Sequence, residues 1–163
     1  MYRLALIVVV AAGCTGDKGP RASGALVFTE RSAADVFLAT EAEVMRSEPI
    51  LRRIREDARE ELSAKAISVK RRSGTMILDV TVRDKSPQRA AMLCNRLMET
   101  YFEFRMSLAI MEINVQMQAL AEQLERAPQN AELERQLAVL ETKRMTRVND
   151  VRVLAPCTPA SSR

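Results

Sequence analysis

The sequence predicts an α+β fold in which a small mixed β-sheet is packed by helices and one long helix extends into an antiparallel coiled-coil hairpin. Residues 75–83 alternate between apolar and polar, as half-buried strands do. Residues 88–127 contain neither Gly nor Pro, which favours one long helix. The second half of that stretch has apolar residues alternately four and three positions apart, the coiled-coil pattern. The 163 residues suit one domain.

Composition excludes several classes of protein. There is no histidine, which removes His-based acid–base catalysis and imidazole zinc sites. The three cysteines lie too far apart for a zinc knuckle or a redox CxxC pair. No nucleophile–base constellation or catalytic pair of carboxylates is recognisable, so we expect neither an enzyme nor a bound cofactor or metal. The net charge is +4, but the basic residues are interspersed with 21 acidic ones, so we expect no nucleic-acid partner.

The first 14 residues have the order of an export signal. Arg3 precedes nine apolar residues, 4–12, which are too few to span a bilayer. The end of this run and the next two residues, Ala11-Ala12-Gly13-Cys14, resemble the lipobox of bacterial lipoproteins, in which the cysteine is acylated. We therefore expect residues 1–13 to be a signal peptide, Cys14 to be lipidated and residues 14–23 to be a tether. An ordinary signal peptide and an internal apolar strand are the alternatives. The expected location is the periplasmic face of the cell envelope, with the outer membrane favoured over the inner by Thr15.

The next part of the chain predicts the α+β domain, residues 24–105 plus 148–156. Ser23–Thr29 favours a strand, and a helix follows from Ala33. Pro49 suits the first turn of a second helix, whose apolar face is formed by Ile50, Leu51, Ile54, Ala58 and Leu62. Strands are predicted at 66–70 and 75–83, with Gly74 in the turn between them. Lys70, Arg71 and Arg72 at this turn suggest either a solvated turn or contact with anionic glycan or lipid headgroups.

The long helix begins at Ser86, a predicted N-cap, and Pro87, which suits the first turn. Forty residues would extend about 60 Å at 1.5 Å per residue. A broad apolar face up to residue 102 predicts packing on the sheet. A narrower seam then follows, formed by Met106, Ile110, Ile113, Met117, Leu120 and Leu124.

A break at 128–130 and a resumed helix over 131–144 predict the helical hairpin arm, residues 106–147. The returning helix has its own seam, formed by Leu133, Leu137 and Leu140. The two seams can serve each other, neighbouring subunits, or both. A last strand is expected at 151–154, followed by a flexible tail over 157–163. Cys94 is expected to be a small core residue, and Cys157 to be free or in an intermolecular disulfide.

Three stretches carry a resemblance to a known family. They are residues 37–51, residues 84–101, and residues 151–156 with Pro159. In this order they resemble the periplasmic domain of the chain-length-determinant, or polysaccharide co-polymerase, family of bacterial surface-polysaccharide systems. The resemblance implies homo-oligomeric rings and fold-building roles for Pro87, Ala90, Asn95 and Tyr101. Asn95 is suited to bond backbone across the packing face, and Tyr101 to pack while its hydroxyl stays in water.

The resemblance and the lipobox together imply a non-catalytic envelope lipoprotein. It would scaffold or regulate the assembly, chain length or export of a surface polysaccharide, with the membrane, polymerase or export components and the glycan as partners. The alternative is a generic coiled-coil tether or adaptor of an envelope or secretion complex. That alternative predicts a dominant helical hairpin and a minimal sheet, so a folded four-stranded sheet would count against it.

Overall fold

The computed structural model describes residues 19–28, 34–146 and 151–159, which form four strands, four α-helices and one short 3-10 turn. The elements are β1 (Arg21–Phe28), α1 (Ala34–Met45), α2 (Glu48–Ala58), a 3-10 turn (Ala64–Ala66), β2 (Ile67–Arg71), β3 (Ile77–Arg83), α3 (Pro87–Arg126), α4 (Ala131–Thr146) and β4 (Val151–Pro159). The α+β class is confirmed.

The strands form one sheet in the order β2-β3-β1-β4, and every pairing is antiparallel. The prediction of a mixed sheet is wrong. The reason lies in the connection between β1 and β4. Helix α3 carries the chain away from the sheet, and the chain returns through α4, so β4 runs back towards the point where β1 begins. We call that end of the sheet, where Arg21 lies opposite Arg83 and Pro159 lies beside Ala22, the base.

The core lies between one face of the sheet and the helices. Alternate residues of β3, Leu78, Val80 and Val82, are buried against α3, as the period of two predicts. The predicted apolar face of α2 is also confirmed at Ile50, Leu51 and Ile54, which are buried. The other face of the sheet carries polar residues in register. Ser68, Thr81, Ser23 and Thr158 lie side by side across all four strands, and the Ser23 and Thr81 hydroxyls are 3.0 Å apart.

Strand boundaries differ from the prediction at both ends of the chain. Strand β1 begins at Arg21, inside the predicted tether, and β4 continues to Pro159, inside the predicted tail. The prediction ended β4 before Pro156 because proline cannot donate a hydrogen bond to a neighbouring strand. β4 is at the edge of the sheet, where proline is tolerated because one side of its backbone has no partner among the described strands. Residues 160–163 of the predicted tail lie outside the described residues.

Helix α3 has the predicted bounds and, at 40 residues, is about 60 Å long. A four-residue turn follows, and the side chain of Asn130 caps α4 by accepting hydrogen bonds from the Glu132 and Leu133 amides at 3.1 and 3.3 Å. Helix α4 then packs against α3. We call residues 106–146 the arm and the remainder of the described chain the platform. None of the helices described is both long enough and apolar enough to cross a membrane.

Candidate functional site

The most distinctive side-chain arrangement is the junction at which α3 crosses the sheet and becomes the arm. Three of the four residues singled out by the family resemblance, Ala90, Asn95 and Tyr101, lie on this crossing, and Pro87 lies at its start. The predicted lipidation site, Cys14, lies outside the described residues, and its acylation stays a prediction.

The start of α3 is built as predicted. The Ser86 hydroxyl accepts a hydrogen bond from the Arg89 amide at 3.1 Å, and Pro87 occupies the first turn. The Arg89 guanidinium binds Glu60 at 2.7 Å and lies 3.8 Å from Asp84. The hydrogen bond to Glu60, together with the nearby charges of Asp84 and Glu60, raises the pKa of Arg89. Ala90 is fully buried, so its small side chain permits close approach of helix and sheet.

Asn95 holds the edge strand, which confirms the prediction that it bonds backbone across the packing face. Its Nδ2 donates to the carbonyl oxygen of Cys157 at 3.1 Å, and its Oδ1 accepts from the Cys157 amide at 2.7 Å. Both polar groups of one β4 residue are therefore satisfied by a single side chain on α3. We call these two hydrogen bonds the Asn95 clamp. The clamp takes the place of strand-to-strand hydrogen bonds where the β1–β4 register shifts on either side of Ala25.

Cys94 and Cys157 form a disulfide that joins α3 to β4, with their Cα atoms 5.8 Å apart. Cys94 is buried, as expected of a core residue, but the expectation that Cys157 is free or bonded to another chain is wrong. Sequence could not reveal the pairing because the 63-residue separation contains the whole arm. The two thiols meet only because α4 returns the chain to the sheet.

Gly24 makes this junction possible. A Cβ atom at this position would lie 2.7 Å from the Sγ atom of Cys157, 2.9 Å from the carbonyl oxygen of Ala155 and 2.9 Å from Cε of Met98. Side-chain atoms do not approach so closely, so any larger residue would displace the disulfide or β4. Sequence reasoning treated Gly24 only as part of a strand.

A buried polar cluster marks the place where α3 leaves the platform. The Tyr101 hydroxyl is hydrogen-bonded to the Glu41 carboxylate on α1, and Arg105 pairs with the same carboxylate at 3.2 Å. The Arg105 guanidinium also lies 5.8 Å from the ring centre of Phe37. Tyr101 is fully buried, so the expectation of a solvated hydroxyl is wrong. Its polar end is satisfied by Glu41 instead of water, and this partner was missed because its charge suggested a surface position.

The predicted seam residues of the arm are its least exposed positions. Half-buried positions on α3 are Met106, Ile110, Ile113, Met117, Leu120 and Leu124, and Leu133 and Leu137 on α4 are half-buried as well. Leu140 is buried. These positions are the ones partly covered in the arm, where α4 packs against α3, and their role as a coiled-coil seam stays a prediction. Beside these positions lies a groove of about 480 Å³ between the two helices, lined in part by Ala119, Leu120, Val139 and Leu140.

A second apolar row lies away from this seam. Leu108, Met111 and Val115 are three and four positions apart on α3, and they are 37%, 56% and 63% exposed. We call them the outer stripe. Sequence reasoning missed it because the seam of the same helix already accounted for a coiled-coil pattern.

The basic turn between β2 and β3 is held by internal contacts. Arg72 binds Asp79 through both Nε and Nη2, and this hydrogen bond raises the pKa of Arg72. The Arg71 Nε donates to the Thr75 carbonyl oxygen at 3.0 Å. Gly74 adopts φ +69°, a conformation that the turn requires and that glycine accepts without strain. These contacts favour a structural role for the turn over contact with glycan or headgroups.

Within the ranges 19–28, 34–146 and 151–159, no group of three or more Cys, Asp or Glu side chains is placed to hold a metal ion. In the Glu41–Tyr101–Arg105 cluster, Glu41 and Tyr101 are buried and Arg105 is partly exposed, and the cluster joins α3 to α1 at the junction. The arrangement therefore holds one long helix rigidly against a sheet. Sequence comparison adds no relative, since the chain matches no protein-family model and no curated protein.

Proposed function

We propose that this protein is a non-catalytic lipoprotein of the cell envelope, anchored through Cys14, whose platform lies near the membrane and whose arm projects from it. It scaffolds or regulates the assembly, chain length or export of a surface polysaccharide. The observation that carries the scaffold role is the placement of the first described residues and the arm at opposite ends of the platform.

That placement follows from a series of contacts along α3. The Asp84 amide donates to the Pro20 carbonyl oxygen at 3.2 Å, so the chain leaves the predicted tether beside the start of α3. Asn95 then lies at Cys157, and Tyr101 reaches Glu41. The helix has thus crossed the platform before the arm begins, and about 20 residues, or roughly 30 Å of helix, extend beyond it.

The Cys94–Cys157 disulfide supports a location outside the cytoplasm. Disulfides persist in oxidising compartments such as the bacterial periplasm and are rare where thioredoxin and glutathione keep thiols reduced. A buried disulfide that fastens an edge strand is consistent with an exported protein, and it agrees with the signal peptide predicted for residues 1–13.

The arm is proposed to be an antiparallel coiled coil with a second, intermolecular surface. Its seam supports knobs-into-holes packing between α3 and α4. The outer stripe exposes three large apolar side chains that monomeric helices usually keep covered. Contact between outer stripes or adjoining arm surfaces of neighbouring copies would give the homo-oligomer that the family resemblance implies.

The role in polysaccharide assembly rests on the family resemblance over residues 37–51, 84–101 and 151–156. The contacts of Ala90, Asn95 and Tyr101 are consistent with the fold-building roles that it assigns. The alternative of a generic coiled-coil tether is disfavoured because a four-stranded sheet, a disulfide and a buried polar cluster are more than a tether requires.

The test is to delete the gene and size the surface polysaccharide on a gel. We expect a changed amount or chain-length distribution, restored by the wild-type gene and not by Cys14→Ser. Unchanged polysaccharide in the deletion strain would overturn the polysaccharide role. Radiolabelled palmitate tests the anchor separately, because incorporation should depend on Cys14.

The oligomeric surface is tested by Met111→Glu with Val115→Glu, measured by sedimentation equilibrium and by complementation of the deletion strain. We expect dissociation and loss of complementation, because two carboxylates in an apolar contact must be desolvated. Gln116→Glu with Gln123→Glu is the matched control, since it adds two negative charges at exposed positions of the same helix that lie about 100° round from the stripe. An unchanged oligomer in the double variant would remove the outer stripe from the interface.

A further inference from the structure

The outer stripe continues the face by which α3 packs on the sheet. Within the platform that face carries buried residues alternately four and three positions apart, which are Ala90, Cys94, Leu97 and Tyr101. The same spacing runs on through Phe104 into the outer stripe. Phe104 still packs against the core, whereas the three residues beyond it are 37% to 63% exposed. An apolar row that the sheet covers in the platform is therefore left open along the first turns of the arm.

The opposite edge of the arm is formed by α4. Its covered positions, Leu133, Leu137 and Leu140, lie where it packs against α3. At about 100° per residue, a second row of α4 lies about 150° round from them. We call it the α4 outer row, and its residues, all exposed, are Ala131, Arg135, Ala138, Thr142 and Met145. The outer stripe likewise lies about 170° from the half-buried positions of α3, so the two rows occupy opposite edges of the arm.

Residues of these two rows lie at matching heights along the arm. A short turn joins the helices, so the number of residues to the end of α3 or from the start of α4 gives the height at about 1.5 Å per residue. Val115 lies 11 residues before the end of α3, and Thr142 lies 11 residues after the start of α4. Both are therefore about 16 Å from the turn. Met111 and Met145 are also level, each about 21–23 Å from the turn.

The rows are also chemically complementary. Glu122 extends the line of the outer stripe towards the turn, and it and Arg135 each lie about 6 Å from the turn. Arg135 pairs with Glu132 on its own helix at 2.8 Å, an exposed contact that leaves it able to bind a second carboxylate. The alanine and threonine residues of the α4 outer row are small and leave room for the large side chains of the stripe. Met145, 79% exposed, adds an adaptable apolar side chain.

The position of the sheet decides which surface of a second copy can cover the outer stripe. Because the stripe continues the sheet-packing face of α3, each sheet lies on the stripe side of its own helix. Two stripes placed face to face would force a sheet between helices only about 8–10 Å apart, whether the helices run parallel or antiparallel. With α4 of the second copy on the stripe, two such spacings separate neighbouring α3 helices and leave room for the sheet. Helix α4 stops at Thr146, about level with Met111, so it does not reach the platform.

We infer that the outer stripe of one copy packs against the α4 outer row of the next, so that copies assemble head to tail with their arms level. The inference rests on the proposed homo-oligomer and names the surface that covers the stripe. The two rows face away from each other within one arm, so they meet only between copies. The contact is heterologous, and a closed ring is the arrangement in which every copy has both rows covered.

The test is cross-linking of introduced cysteines with a short bis-maleimide, in full-length chains that also carry Cys14→Ser. The chain with both Val115→Cys and Thr142→Cys should give covalent dimers and higher oligomers on a denaturing gel, and each single variant should stay monomeric. The matched control is Gln116→Cys with Thr142→Cys, because Gln116 is exposed at nearly the same height but lies about 100° round from the stripe. Cross-linking of Val115→Cys alone, or equal product from the control chain, would overturn the inference.

Charge reversal gives an independent readout by sedimentation equilibrium. Glu122→Arg alone and Arg135→Glu alone should each weaken association about 5- to 30-fold, because an attraction becomes a repulsion. The chain with both changes should recover, and failure to recover would contradict the pairing. A chain that stays monomeric without any of these changes overturns the homo-oligomer together with this contact. An oligomer that lacks the Val115–Thr142 cross-link overturns only the contact, so the two proposals fail separately.

Discussion

Removal of the Cys94–Cys157 disulfide should destabilise the protein without changing its fold. The bond closes a loop with a sequence separation of 63 residues. Cross-linking a loop of that size lowers the entropy of the unfolded chain by an amount worth about 4 kcal/mol at 25 °C. A domain of this kind has a total stability of about 5–15 kcal/mol, so the loss is a large fraction of it.

The measurement is urea unfolding, followed by far-ultraviolet circular dichroism, of Cys94→Ala with Cys157→Ala. Both this variant and its reference also carry Cys14→Ser, so that no other thiol is present. We expect the unfolding midpoint to fall by about 2 M urea for a slope near 2 kcal/mol/M. The spectrum without urea should be unchanged, because the Asn95 clamp still holds β4.

Two results would refute this reasoning. A loss of stability below about 1 kcal/mol would mean that the loop contributes no entropy of the expected size. Reaction of Cys94 and Cys157 with a thiol reagent, in unfolded protein that has met no reductant, would mean that the bond does not form. In that case the disulfide would no longer support the proposed location in an oxidising compartment.

Three smaller predictions concern the same junction, each measured as a change in the free energy of urea unfolding. Asn95→Asp should cost about 1–3 kcal/mol, because the Cys157 carbonyl loses its donor and faces a carboxylate; a cost near zero would contradict the clamp. Tyr101→Phe should cost about 1.5–3 kcal/mol because the buried Glu41 carboxylate loses a hydrogen bond. Phe102→Leu, at the half-buried neighbouring position, is the control and should lower the free energy of unfolding less. Gly24→Ala should cost about 1–3 kcal/mol through the clash with Cys157 and Ala155, and equal stability would show that β4 can shift freely.

Local patterns were sufficient for the elements that their own residues specify. The alternation of Leu78, Val80 and Val82 defined the buried face of β3, and the Ser86–Pro87 pair defined the start of α3. The four–three spacing of the arm identified positions that are half-buried in the structure. These features depend on the period of a helix or strand, or on backbone groups within a few residues, so distant parts of the chain do not alter them.

Prediction failed where two distant segments meet. The partner of Tyr101 is a carboxylate 60 residues away, and Glu41 becomes buried only because Arg105 and Tyr101 compensate its charge. The length of β4 was underestimated for a similar reason. Pro156 reads as a strand terminator in isolation, but it is acceptable at the sheet edge that the strand order creates.

The sequence by itself determined the α+β class, the 40-residue helix, the partly buried positions of the arm and the lack of histidine chemistry, because each depends on composition or on local periodicity. Only the tertiary structure decided that the sheet is antiparallel throughout, that Cys94 pairs with Cys157, and that Arg21 stands beside Arg83 at the base. The antiparallel β4 and the disulfide require the return of α4, which brings β4 back beside β1, and the third requires β1 and β3 to pair although α1 and α2 lie between them in the chain. A contact of that kind is a property of the path of the whole chain, and no window of neighbouring residues contains it.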